Sequence, residues 1–125
     1  MTSTKKRLLI VEDDPNLMDL MVDFCDEIDV IPIPAADGST ALLKAESEKP
    51  DAITVDYRLP DLSGLDVITR LKGNPNVATV PVILLSADAK IHETEAKSRG
   101  AFGVLMKPVS PLALRTMLEQ CLGDW

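Results

Sequence analysis

The chain has 125 residues, of which 46% are apolar and 26% are charged, a composition that suits one globular domain with a buried core. Its formal net charge is -7 and its lysines and arginines are scattered, so binding to the phosphate backbone of a nucleic acid is disfavoured. We expect a single domain over residues 1–125 with no output domain in this chain, because the last helical pattern runs almost to Trp125.

The apolar stretches are too short to cross a bilayer. The longest, Leu8–Val11 and Val82–Leu85, have the length of strands, and no N-terminal targeting signal precedes them. Cys25 and Cys121 lie in apolar helical patterns without metal-ligand spacing, which favours two core thiols and no disulfide. We therefore expect a cytoplasmic protein that does not bind membranes.

Strands and helices alternate along the chain. Three apolar runs without polar alternation predict strands that are covered on both faces, as in a parallel sheet. These runs are Leu8–Val11, Ala52–Val55 and Val82–Leu85, and a further strand is expected at Phe102–Met106. Helical spacing appears between and after them, as at Leu17, Met21, Phe24 and Ile28 in the first helix and Leu114, Leu118, Cys121 and Leu122 in the last.

Capping signals mark the starts of several helices. Asp14-Pro15 and Ser110-Pro111 each place a capping side chain before a proline at the first helical position, where the missing N–H costs nothing. Ser63 with Asp66 is typical of a capping box.

The segment Val30–Pro34 predicts a second strand at the edge of the sheet. Its two prolines, in alternation, remove hydrogen-bond donors from one side, which only an edge strand tolerates. With the first strand inside it, the expected fold class is α/β: a doubly wound, flavodoxin-like, five-stranded parallel sheet in the order 2-1-3-4-5, with helices on both faces.

Polar residues follow the apolar runs at the end where such sheets bind ligands. They are Glu12, Asp13 and Asp14 after the first strand, Asp56 after the third, Ser86 after the fourth and Lys107 after the fifth. Two carboxylates about 4 Å apart repel by about 4 kcal/mol at an effective dielectric of 20, so three of them together favour a bound cation. An all-oxygen ligand set indicates Mg²⁺ rather than Zn²⁺. The only histidine, His92, is expected to be a solvated surface residue.

Four short motifs together resemble the signatures of response-regulator receiver domains. They are Val11-Glu12-Asp13-Asp14, Val55-Asp56, Leu85-Ser86-Ala87 and Lys107-Pro108. Each motif alone is weak, but their order at successive strand ends is specific and the resemblance covers essentially the whole chain.

The resemblance implies a role for each of these positions. Asp56 would be the nucleophile that takes a phosphoryl group from a phosphohistidine, in a Mg²⁺-dependent reaction. Direct Mg²⁺ ligands would be Asp13, Asp56 and the Arg58 backbone carbonyl, with Glu12 acting through water. Two further implications concern the phosphoryl group and the peptide beside it. Lys107 would pair with a phosphoryl oxygen, Ser86 would donate a hydrogen bond to it, and the Lys107-Pro108 peptide bond would be cis.

Nearby residues have their own expectations. Asp14 is interpreted as a helix cap, and Asp51 and Asp61 as loop carboxylates. Arg58 and Asp88 occupy positions that tune acyl-phosphate hydrolysis in relatives, and we hypothesise that they pair across the mouth of the site. The helix around Ile91 to Arg99 has few apolar anchors and is expected to be the loosest.

Position 104 departs from the family pattern. Receiver domains usually carry an aromatic residue three positions before the lysine, and this chain has Val104 there. The resemblance therefore does not extend to the usual aromatic coupling between the site and the output face, whereas the phosphorylation chemistry is unaffected.

Two other classes of function remain open beside the signalling switch. A pseudo-receiver would keep the fold as a protein-docking module without phosphorylation. A phosphohydrolase with an aspartate nucleophile would need a second acid two residues after it, where this chain has Arg58. The favoured interpretation is a non-enzymatic phosphoacceptor whose partner is a histidine kinase or histidine phosphotransfer protein, with the downstream target open.

Overall fold

Five short strands pair side by side in one parallel sheet in the computed structural model, which describes residues 5–123. The strands are β1 Arg7–Val11, β2 Ile31–Ala35, β3 Ala52–Asp56, β4 Val82–Ser86 and β5 Gly103–Met106. The order across the sheet is β2-β1-β3-β4-β5, and every neighbouring pair is parallel. The doubly wound fold with β2 at an edge is therefore confirmed.

A helix follows each strand. The helices are α1 Pro15–Glu27, α2 Gly38–Glu48, α3 Gly64–Lys72, α4 Ala89–Ser98 and α5 Pro111–Leu122. Two predicted strands shift slightly, since β2 begins at Ile31 rather than Val30 and β5 at Gly103 rather than Phe102, as is common at element ends. The last helix ends at Leu122, and Trp125 lies outside the described residues.

Two hydrophobic cores lie on opposite faces of the sheet because successive residues of a strand point to opposite sides. Residues such as Leu9, Ile53 and Leu84 pack in one core with α2, α3 and α4, whereas Leu8 and Ile83 pack in the other with α1 and α5. Both faces of the central strands are thus buried, which explains the continuous apolar runs.

The predicted helix caps form, with one exception. Asp14 accepts a hydrogen bond from the Asn16 N–H at 2.9 Å, and Ser110 accepts one from the Ala113 N–H at 3.1 Å. Ser63 likewise accepts from the Asp66 N–H. The Asp66 carboxylate, however, accepts from Arg99 of α4 at 3.1 Å, so only the serine half of the predicted capping box is present among the described residues.

The two cysteines are free thiols. Cys25 is buried, as predicted, whereas Cys121 is half-buried and packs against the same core. Burial raises the pKa of Cys25 to about 12, which leaves that thiol protonated and unreactive at neutral pH. No helix within residues 5–123 combines the length and the hydropathy that a membrane span requires.

Candidate functional site

The polar residues singled out in the sequence lie at the carboxyl ends of four neighbouring strands. Asp56 and Ser86 are the last residues of β3 and β4, and Lys107 directly follows β5. Glu12 directly follows β1 and donates its N–H to the Ala35 carbonyl at the end of β2. Because parallel strands end at the same edge of a sheet, distant parts of the chain meet there.

Three carboxylates form a tight group at this edge. Glu12, Asp13 and Asp56 each present an oxygen atom, and these atoms lie within 4.8 Å of one another. Glu12 and Asp56 are buried, whereas Asp13 is exposed. The group can present only oxygen ligands and has an open side, so it fits a hard divalent cation such as Mg²⁺. Asp14, by contrast, caps α1, as the sequence predicts.

Lys107 is the basic residue that contacts the acidic group. Its Nζ contacts Asp56 Oδ1 and lies 3.4 Å from Glu12 Oε1. Partial burial by itself would lower the pKa of Lys107, but the Asp56 and Glu12 carboxylates outweigh it and the pKa is raised. The peptide bond that joins Lys107 to Pro108 is cis, which confirms the prediction.

Glu12 is a buried carboxylate whose negative charge is only partly compensated by its neighbours. Desolvation raises its pKa and the neighbouring Asp56 adds to that effect, whereas the Asp14 N–H and Lys107 oppose it. The Asp14 N–H donates to Glu12 Oε2 at 3.2 Å. The ionised form of Glu12 is therefore less stable at this position than it is in water.

Two surface cavities share Asp56, Arg58 and Lys107. The larger, about 340 Å³, contains the three clustered carboxylates. The smaller, about 100 Å³, is lined on its other side by Ser86 and Asp88. The buried carboxylate of Asp56 is thus reached from an acidic side and from a hydroxyl-bearing side.

His92 is a functional candidate that the sequence interpretation missed. Its ring is half-buried, stacks on Tyr57 with 3.8 Å between ring centroids and places Nδ1 2.8 Å from Ser86 Oγ. The expectation of a solvated surface histidine was therefore wrong. The missed signal was position: His92 lies one helical turn beyond Asp88, the N-cap of α4, so its side chain can face the strand end.

Gly64 is a second residue that the sequence interpretation passed over. A Cβ atom at this position would lie 2.5 Å from the Asp56 carbonyl oxygen and 2.9 Å from the Tyr57 Cα. The Gly64 N–H donates to the Tyr57 carbonyl at 2.8 Å. The absence of a side chain therefore lets the start of α3 close against the backbone of the site.

The two loop carboxylates have structural roles that the sequence did not reveal. Asp61 accepts hydrogen bonds from the N–H groups of Gly38 and Ser39 at the start of α2, and from the Ser39 hydroxyl. The two backbone N–H groups and that hydroxyl lower the pKa of Asp61 to about 2. Asp51 accepts a hydrogen bond from the Arg7 N–H at 2.8 Å, at the amino-terminal end of the strands.

The hypothesised pair at the mouth is not formed. Arg58 and Asp88 both line the smaller cavity and are exposed, but no ion pair joins them among residues 5–123. Val104 is half-buried and packs against the core on the α2, α3 and α4 side of the sheet.

The sequence profile of the family described as response regulator receiver domain matches residues 8–119. The chain belongs to the response-regulator receiver family. The polar-differentiation response regulator DivK of Brucella anthropi is 32% identical over 120 residues, which cover 95% of this chain and 98% of that protein.

Solved receiver domains share the fold. The chemotaxis protein CheY4 of Vibrio cholerae superposes with a TM-score of 0.89 at 25% identity, covering 95% of this chain and all of that one. The receiver domain of a sensor histidine kinase from Pseudomonas aeruginosa gives a TM-score of 0.88 at 29% identity, covering 97% of this chain and all of that one. That domain holds a magnesium ion in its active-site cleft.

Membership of the family fixes the general role. The chain is a receiver domain of two-component signalling, and receiver domains are phosphoacceptor switches rather than enzymes with an outside substrate. They bind Mg²⁺ at an acidic site, and Glu12, Asp13 and Asp56 form an acidic cluster of that kind here.

Proposed function

We propose that this receiver domain accepts a phosphoryl group on Asp56 from the phosphohistidine of a histidine kinase or histidine phosphotransfer protein. The observation that carries the proposal is the convergence of a buried carboxylate, two further acids and a lysine at one sheet edge. An aspartate buried beside a lysine and open to two cavities is both oriented and reachable.

The transfer exchanges one bond to phosphorus for another. A carboxylate oxygen of Asp56 attacks the phosphorus atom, a P–O bond forms, and the P–N bond to the donor imidazole breaks with its electron pair leaving on nitrogen. The product is an acyl phosphate on Asp56. Hydrolysis by water later restores the carboxylate, which makes the modification reversible.

Asp13, Asp56 and the Arg58 carbonyl would hold Mg²⁺, with Glu12 acting through water. The bound cation would neutralise charge on the phosphoryl oxygens. The oxygen-only donor set of the three clustered carboxylates supports this assignment. The positions of these residues, rather than their acid-base reactivity, supply most of the catalysis.

Lys107 and Ser86 would bind oxygen atoms of the transferred group. Lys107 already contacts Asp56 Oδ1, so a phosphoryl oxygen on that carboxylate would come within its reach. Ser86 lines the smaller cavity together with Asp56 and would donate its hydroxyl hydrogen. Arg58 and Asp88 at the mouth would set the access of water and thereby the lifetime of the acyl phosphate.

This chain has an apolar surface beside the site that would contact the phosphohistidine-bearing partner. A cavity of about 280 Å³ adjoins Glu12 and Lys107 and is lined by side chains of α1 and the segment after β5, including Leu20, Phe24 and Val109. A partner that covers this cavity would place its imidazole beside the acidic cavity, through which Asp56 is accessible. We place the exchange in the cytoplasm and leave the downstream target open.

The decisive experiment measures phosphorylation directly. The protein is incubated with acetyl phosphate and Mg²⁺, and intact mass is recorded for the wild type, Asp56→Asn and the control Asp23→Asn, which alters an exposed carboxylate of α1. We expect one added phosphoryl group in the wild type and the control when Mg²⁺ is present, and none when Mg²⁺ is omitted or in Asp56→Asn. An unmodified wild-type protein that still binds Mg²⁺ would instead favour the docking-module function.

A further inference from the structure

The hydroxyl group of Ser86 has two hydrogen-bond partners in the unmodified protein. Its Oγ lies 2.8 Å from His92 Nδ1 and accepts a hydrogen bond from the Asp88 N–H at 3.0 Å. Ser86 is also buried, with 2% of its surface exposed. These two groups of the α4 N-terminal region are the partners of this side chain within residues 5–123.

A serine hydroxyl has one hydrogen to donate and two lone pairs to accept with. The Asp88 N–H occupies one lone pair. If the hydroxyl donates to His92 Nδ1, its only hydrogen is used and cannot reach a phosphoryl oxygen. Ser86 can then serve the phosphoryl group only after its bond to His92 breaks.

His92 also connects the site to α4 through its ring. The imidazole stacks nearly parallel on Tyr57, with 14° between the planes, and Tyr57 directly follows Asp56 in the chain. One side chain of the first half of α4 therefore contacts both the hydroxyl of the site and the neighbour of the acceptor. The C-terminal end of α4 has a separate contact, in which Arg99 forms an ion pair with Asp66 of α3.

We propose that His92 is a positioning residue that restrains the Ser86 hydroxyl until a phosphoryl group displaces it, so that α4 senses the occupancy of Asp56. This inference rests on the proposed function. The contact would connect the site to a surface helix. Val104, which has no aromatic ring, cannot make the connection that an aromatic side chain at that position could make. The released imidazole would no longer hold the first half of α4 against the strand end.

The test titrates the protein with beryllofluoride, a mimic of the phosphoryl group on a carboxylate, in the presence of Mg²⁺. His92→Phe keeps an aromatic ring for Tyr57 but cannot bond Ser86, and His92→Asn keeps a polar atom near the position of Nδ1. Because the hydrogen bond restrains only the unoccupied protein, His92→Phe should bind beryllofluoride roughly two- to tenfold more tightly. His92→Asn should stay close to the wild type, as should the control Glu93→Gln on the same helix.

The sign of the change decides the inference. Weaker binding by His92→Phe would mean that Nδ1–H donates to Ser86 and helps it to face the phosphoryl group, which overturns the restraint. Unchanged binding would show that the contact is only structural and overturns it as well. No binding by the wild type would refute the proposed function itself, and this inference with it.

A spectroscopic measurement follows the same group without substitution. His92 is the only histidine of the chain, so ¹⁵N-labelled imidazole gives one pair of ring nitrogen signals. We expect Nδ1 to show the shift of a hydrogen-bond acceptor in the free protein and to change on addition of beryllofluoride. In Ser86→Ala the free protein should already show the released signal. A wild-type Nδ1 signal that does not move would overturn the proposal.

Discussion

Glu12→Gln tests whether the acidic group destabilises the protein without metal. The carboxylate is 3% exposed, and burial together with Asp56 raises its pKa. A glutamine has nearly the same shape and keeps an oxygen that can accept from the Asp14 N–H. The substitution therefore removes the charge and the second oxygen, which accepts a long hydrogen bond from Lys107 Nζ at 3.4 Å.

The expected magnitude follows from the distances. Repulsion from Asp56, within 4.8 Å, is at least about 3.5 kcal/mol at an effective dielectric of 20. Attraction to Lys107 at 3.4 Å is about 5 kcal/mol on the same scale. The small surplus of attraction does not offset desolvation, which costs several kcal/mol for a carboxylate, so we expect Glu12→Gln to raise the free energy of unfolding by about 1 to 2 kcal/mol at pH 7.

The pH dependence has a definite sign. A carboxyl group whose pKa is raised on folding favours the folded state below its unfolded pKa of 4.5 and loses that contribution as pH rises through the folded value. The advantage of Glu12→Gln should therefore be present at pH 7 and vanish near pH 4. Mg²⁺ should also remove it, because the cation stabilises the wild-type acidic group.

Urea unfolding at pH 7 and pH 4, with and without Mg²⁺, measures all of these quantities. Glu27→Gln, at an exposed position of α1, serves as the control and should leave stability unchanged at pH 7. A fall in the unfolding free energy of Glu12→Gln at pH 7 would refute the reasoning. A gain of equal size at both pH values would show that charge is not its cause.

Three further substitutions test single features of the structure. Gly64→Ala should cost about 1 to 3 kcal/mol in urea unfolding because its Cβ would meet the Asp56 carbonyl oxygen at 2.5 Å. Gly73→Ala should be tolerated, because its Cβ would lie 3.4 Å from the Thr69 carbonyl oxygen. Thr54→Val should stabilise by about 1 kcal/mol, since the Thr54 hydroxyl is buried without a hydrogen-bond partner among the described residues; a loss of stability would reveal a hidden partner. Asp61→Asn should destabilise at pH 6, and its deficit should shrink between pH 4 and pH 2, because a pKa lowered to about 2 gives stability that is lost as pH falls through that value. A deficit independent of pH would exclude the charge of Asp61 as its source.

The sequence by itself determined the fold and which residues form the acidic site. Short apolar runs such as Leu8–Val11 predict strands that are buried on both faces, and the prolines of β2 predict an edge strand. Together these two facts fix most of the strand order. Because parallel strands end at one edge, the residues after each run, among them Asp56 and Lys107, were bound to meet there.

Only the tertiary structure decided how the side chains at that edge are paired. Whether His92 faces solvent or Ser86 depends on how α4 lies against the ends of β3 and β4, and one histidine in a polar helix carries no periodic signal of that packing. Asp61 likewise meets the start of α2 across 23 positions of sequence. The predicted looseness of α4 stays a prediction, although Ala96 is its only buried side chain among the described residues. Local patterns specify which face of an element is buried, whereas contacts between polar side chains of different elements arise only when the elements have packed.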